Sequence, residues 1–103
     1  MRAAVAFAAA ANSWEASSEV RELMLTAVRE TTVPVMLLQA SNDYSTTPGQ
    51  VMAGELARLA KPHVLRIYPP VGKTSDGGHN FVYTAVAEWE ADVFRFLDQY
   101  VQH

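Results

Sequence analysis

The sequence predicts an α/β fold of three layers, βαβαβα, built on a short parallel sheet. Three observations carry that prediction. Val33 to Ala40 is an apolar run rich in Val and Leu, introduced by Thr31-Thr32 and stopping abruptly at Ser41-Asn42-Asp43, as a strand covered on both faces does. The segments before and after it repeat apolar residues at helical spacing, and a further alternating segment, His63 to Tyr68, follows the second of them. Strands alternating with helices imply parallel pairing through right-handed crossovers.

The chain has 103 residues, half of them apolar, with no long charged or low-complexity run. That is material for one domain with one core, spanning 1–103. A net charge of −3 and eight scattered Lys and Arg form no basic stripe, so neither nucleic acid nor an anionic membrane surface is expected as a partner. Cysteine is absent, which excludes disulfides, a thiolate nucleophile and Cys-based metal sites, and suits the reducing cytoplasm, where the chain is expected to reside.

The first element is Ala3 to Ala8. The apolar stretch continues to Ala11 behind a single basic residue, Arg2, too short to span a bilayer and poorly formed as a signal peptide. Small residues with Val5 and Phe7 instead suggest a tightly packed interior strand. After a loop at Asn12 to Glu15, Ser17 or Ser18 is placed to cap a helix, with Glu19 and Glu22 in its first turn and Val20, Leu23, Met24, Ala27 and Val28 on its packing face. Arg21, Arg29 and Glu30 are expected to face water.

Beyond the central strand, Thr47-Pro48-Gly49-Gln50 reads as a helix start, with Thr47 as cap, Pro48 at the first helical position and Gln50 three residues after the cap. Met52, Leu56, Leu59 and Ala60 continue it and Lys61-Pro62 ends it. His63 to Tyr68 is then a less buried strand, suited to a sheet edge. Pro69 to Asn80 is a long run of turn formers, of the kind that is more often functional than incidental. A last helix, from Val82 or Ala85 to Val101, carries Trp89, Val93, Phe96, Leu97 and Tyr100 on one face. Trp89, Phe94, Phe96 and Tyr100 are read as core. The first two helices are expected on one face of the sheet and the last on the other.

Two residues stand where such folds place chemistry, at the carboxyl ends of strands. Asp43 follows the central strand and His79 follows the third. A buried carboxylate accepting a histidine ring N–H fixes its tautomer and stabilises the imidazolium formed when the other nitrogen takes a proton. The plainer readings stand beside this one: a strand-end Asp also serves as a turn cap, and a loop His is commonly solvated.

Val33-Pro34-Val35, Asn42-Asp43-Tyr44 to Pro48, Ile67-Tyr68-Pro69-Pro70, Gly78-His79-Asn80-Phe81 and Trp89…Asp92-Val93…Phe96-Leu97, in this order, resemble the C-terminal part of α/β-hydrolases of the dienelactone hydrolase family. The resemblance runs from Ala3 to Val101. It implies that the three strands correspond to the last three of the α/β-hydrolase fold, with Asp43 as triad acid and His79 as triad base of a carboxylic ester hydrolase acting on a small ester. The family's nucleophile, on a G-x-S-x-G turn or its Cys equivalent, has no counterpart: Ser13, Ser17, Ser18, Ser41, Ser45 and Ser75 lack the flanking glycines. The chain is thus expected to be the last third or half of such an enzyme, inactive alone.

Other motifs carry less. Gly72-Lys73-Thr74 lacks the upstream glycine of a phosphate-binding loop, where Ile67 stands. His63 and His79 have no ligand partners at metal spacing, so neither a metal nor another cofactor is expected. Trp14 is read as packing, with an acyl pocket as the alternative. A receiver-like module with Asp43 as acceptor lacks strands and an early acidic pair. The competing function is a non-catalytic module derived from a hydrolase, which self-associates through the unpaired edge of the first strand or through the place of a missing N-terminal half, giving a homo-oligomer.

Overall fold

The computed structural model describes residues 2–8 and 13–101. Three strands, β1 (Ala4–Phe7), β2 (Val35–Ala40) and β3 (His63–Tyr68), form a parallel sheet in the order β1-β2-β3. The helices are α1 (Ser18–Glu30), α2 (Thr47–Arg58), α3 (Ser75–His79), α4 (Phe81–Thr84) and α5 (Val86–Tyr100). This is a small α/β fold. Register pairs Ala4 with Val35 and Val35 with His63, so alternate residues of β2 divide between two layers. Met36, Leu38 and Ala40 pack with Tyr68, Phe81, Val93 and Phe96, whereas Val35 and Leu37 pack with Val28, Met52, Ala53 and Leu56. Helices α1 and α2 therefore cover one face and α4 and α5 the other, as the bulk of the last helix requires. No helix of the described residues is long and apolar enough to cross a membrane.

Every residue of β2 is buried, which is why that segment reads as an apolar run rather than an alternation. The expected interior position of the first strand is not met. β1 is an edge: among the described residues its one neighbour is β2, with Val5 and Phe7 packed toward α4 and α5 while Ala4 and Ala6 line an open groove beside α1. The amides of Ala4 and Ala8 donate to Pro34 and Leu38 of the neighbouring segment, at 2.9 and 2.8 Å. The alternation of a parallel ladder then turns the backbone groups of Val5 and Phe7 to the open side. Ala9, Ala10, Ala11 and Asn12, the end of the expected N-terminal run and the start of its loop, lie outside the described residues.

Ser17 caps α1, its hydroxyl accepting from the Val20 amide at 3.2 Å. Leu23, expected on the packing face, is 67% exposed, because α1 packs against α2 and nothing among the described residues lies beyond β1 to cover its other flank. The α2 cap sits one residue earlier than expected. Thr46 is the N-cap and Thr47 the first helical residue. Gln50 reaches back to the Thr46 hydroxyl at 3.0 Å, since Pro48 tolerates either of the first helical positions. At the far end Ala60 takes a left-handed conformation, φ 53°, and Lys61 turns back to donate to the carbonyls of Val28, Arg29 and Thr31. That lysine satisfies the last turn of α1.

The C-terminal third departs from the expected pattern at two places. Ser75–His79, expected within a loop, is a short helix, because Thr74 caps it by accepting from the Gly77 amide at 3.1 Å. Phe94, expected in the core, is 61% exposed. It stands one step off the stripe of Val93, Phe96 and Leu97 that faces the sheet.

Candidate functional site

Asp43 follows β2 by three residues, in a turn that its own amide closes onto the Ala40 carbonyl at 3.2 Å. The turn sends its side chain inward, where it is 0% exposed. A carboxylate so placed needs donors, and it has three. Its Oδ1 accepts the Tyr44 amide at 2.6 Å and His79 Nδ1 at 2.9 Å. Its Oδ2 accepts Gln39 Nε2 at 3.1 Å. Gln39 is itself a buried residue of β2 and also donates to the Ser45 carbonyl, which ties the strand to the loop that follows.

His79 is the last residue of α3. Because its Nδ1 faces a carboxylate oxygen, the proton of the neutral ring belongs on Nδ1. Nε2 is then left as the basic nitrogen. The imidazole is 30% exposed, and no hydroxyl among the described residues is hydrogen-bonded to it. The Tyr44 ring stands edge-on to the imidazole, centroids 5.4 Å apart at 64°. This arrangement can accept a proton at Nε2 and stabilise the resulting imidazolium through Asp43.

The two residues that the sequence singled out are thus brought together, one from the turn after β2 and the other from the short helix after β3. His63 is elsewhere. It starts β3, at the amino end of the sheet, with Nδ1 2.9 Å from the Lys61 carbonyl. No group of three or more potential ligands capable of holding a metal occurs among the described residues. Trp14 is buried and its carbonyl takes the Arg21 guanidinium, a packing role. Tyr68, at the end of β3, donates its hydroxyl to Asp92 Oδ2 at 2.7 Å. Burial first, and that bond second, push its phenol well above the usual tyrosine range, so it stays neutral and structural.

Gln39 and Asn42 were not singled out from the sequence, yet both reach the site. The signal for Gln39 is a polar residue inside a fully buried run, which has to find a partner.

No family model, curated protein or solved structure matches this chain.

Proposed function

We propose that Asp43 and His79 are the acid and base of a carboxylic ester hydrolase of the dienelactone hydrolase kind, the chain corresponding to the C-terminal part of that α/β-hydrolase fold. One observation carries the proposal: the 2.9 Å bond between Asp43 Oδ1 and His79 Nδ1, which leaves Nε2 open at the carboxyl edge of the sheet. In this role Nε2 takes the proton of an attacking hydroxyl as the acyl carbon is engaged, and returns it to the leaving alcohol when the ester bond breaks. Asp43 holds the ring and balances the imidazolium. The nucleophile is supplied from outside the described residues and the substrate is a small ester. The lack of cysteine suits a cytoplasmic setting.

The test uses an activated acyl ester with the purified chain, Asp43→Asn and His79→Ala. Turnover above that of free imidazole, abolished in both variants, supports an assembled site. Equal rates in all three proteins, including in the presence of a nucleophile-bearing partner chain, end the catalytic reading.

A second reading, a non-catalytic module that pairs with a second copy of itself, is favoured by the open edge of β1. An antiparallel pairing lets Val5 and Phe7 exchange backbone bonds with Phe7 and Val5 of the second copy, which sets Ala6 against Ala6. On that face an apolar groove of about 190 Å³, lined by Ala4, Ala6, Met24 and Ala27, leaves room for the two α1 helices to close. Val5→Pro removes an outward amide while sparing the β2 ladder. A dimer in solution that Val5→Pro converts to monomer supports this reading, and a wild-type monomer at micromolar concentration overturns it.

A further inference from the structure

We propose that Asn42 is the positioning residue of the acid–histidine pair, acting as a clasp that fixes the histidine-bearing segment onto the acid-bearing turn. Strands β2 and β3 stop pairing where the Ser41 amide meets the Tyr68 carbonyl, at 2.8 Å. Past that point their chains diverge, and backbone pairing cannot hold the two turns together. Asn42 takes over. Its Oδ1 accepts the Val71 amide at 2.9 Å and its Nδ2 donates to the Val71 carbonyl at 2.8 Å. A side-chain amide that donates to and accepts from one residue imitates a neighbouring strand.

The same Nδ2 donates to the Thr74 carbonyl at 3.0 Å. Thr74 caps α3 through its hydroxyl, and its carbonyl also accepts the Gly78 amide at 3.1 Å. Asn42 therefore grips the start of the helix whose last residue is His79. Contact at the other end is equally close. A Cβ on Gly78 would lie 2.6 Å from Asn42 Oδ1 and 2.7 Å from the Asn42 backbone carbon, so the residue before His79 has to be glycine for the helix to sit this near. Asn42 and Asp43, adjacent in the chain, thus divide the work: one seats the segment, the other takes the ring.

The chemistry is specific to an amide. Aspartate at position 42 would still accept from Val71 but would set a carboxylate against the two carbonyls that now receive N–H donors, and alanine would lose all three bonds. The inference rests on the geometry of the pair rather than on its use in ester hydrolysis. Its readout is the imidazole itself, so its failure is distinguishable from failure of the hydrolase reading.

The test compares wild type, Asn42→Asp, Asn42→Ala and Gly78→Ala by long-range proton–nitrogen NMR of the imidazole, with Asp43→Asn as the reference for a released ring. In wild type, His79 is expected as one tautomer protonated at Nδ1, with a slowly exchanging Nδ1 proton. In the three clasp variants that proton signal is expected to vanish and the tautomers to mix, as in Asp43→Asn, while the circular dichroism of the fold persists. A retained Nδ1 signal in Asn42→Asp and Asn42→Ala overturns the inference. A measurement on wild type stands independently of variant folding: the Val71 amide is expected to exchange with solvent at least tenfold more slowly than those of Gly72 and Lys73, and equal rates overturn the clasp.

Discussion

Gln39 and Asp43 are joined by a 3.1 Å hydrogen bond from the Gln39 amide to the carboxylate oxygen that faces away from the histidine. Both side chains are buried. One residue belongs to the strand and the other to the turn after it, so the bond fixes the carboxylate plane and decides which oxygen meets His79. Replacement by leucine would leave Asp43 Oδ2 and the Ser45 carbonyl without their donor. Gln39→Leu is expected to lower stability by about 1–3 kcal/mol, the cost of stranding buried polar groups, as read from urea denaturation. Gln39→Glu places a second carboxylate against Asp43 and is expected to be worse than leucine above neutral pH, where both are ionised, and to recover as the pH falls and a shared proton restores a donor. A Gln39→Leu variant as stable as wild type would mean that the bond does not orient the acid.

The alternation of strands and helices and the two-sided burial of β2 were legible in the sequence because they follow from apolar spacing. The side on which each helix packs was legible because right-handed crossovers between neighbouring parallel strands put the first two helices on one face and leave the other to the last. So was the meeting of Asp43 and His79, which needs only that both follow neighbouring parallel strands. Leu23 and Phe94 were not legible. Each stands on or beside a helical stripe, and what covers a stripe is decided by neighbouring elements, which periodicity does not contain. The short helix ending at His79 was hidden by its glycines, since Gly77 and Gly78 read as turn formers until Thr74 caps them and Asn42 crowds them. Asn42 itself gave no signal. An asparagine after a strand is ordinary turn chemistry, and its partners lie in a segment remote in sequence.

Lys61 closes α1 although it belongs to the segment after α2. Its ammonium group donates to the carbonyls of Val28, Arg29 and Thr31, the groups that a helix C-terminus leaves unpaired. Lys61→Met keeps the length of the side chain and removes the donors. The variant is expected to lose about 1–2 kcal/mol, given what charge-assisted bonds and the helix dipole contribute at partly exposed sites. Amide exchange in the last turn of α1 should rise with it, and unchanged exchange there would show that water serves as well as the lysine.

Glu55 bridges Arg58 on its own helix and Arg29 on α1, at 2.5 and 3.2 Å. The Arg58 hydrogen bond is the main cause, with Arg29 adding to it, that holds the carboxyl down from 4.5 to about 2. A depressed folded-state value means that the unfolded chain binds this proton first as the pH falls. The contribution is complete above about pH 4.5 and is lost progressively toward pH 2. Glu55→Gln is therefore expected to flatten the acid limb of stability in that window, measured by thermal melts between pH 2 and 6 at low salt. Since the pair is solvent-screened, the flattening should shrink in molar salt.

Tyr68 and Asp92 tie the end of β3 to α5 through a 2.7 Å bond, with Arg95 on the other carboxylate oxygen at 3.1 Å. The phenol is pushed up chiefly by burial and then by the Asp92 acceptor. Here the sign is opposite to that of Glu55. The folded state keeps its proton after the unfolded chain has begun to release one near pH 10, so this group's contribution fades as pH rises through the alkaline range and is complete below it. Alkaline difference absorption should show one tyrosine ionising later than the rest, and that late component should be missing in Tyr68→Phe. The variant also leaves Asp92 with Arg95 as its remaining partner, at an expected cost of about 1 kcal/mol. Tyr68→Phe that retains the late component would assign it to another tyrosine and leave the β3–α5 tie without its proton.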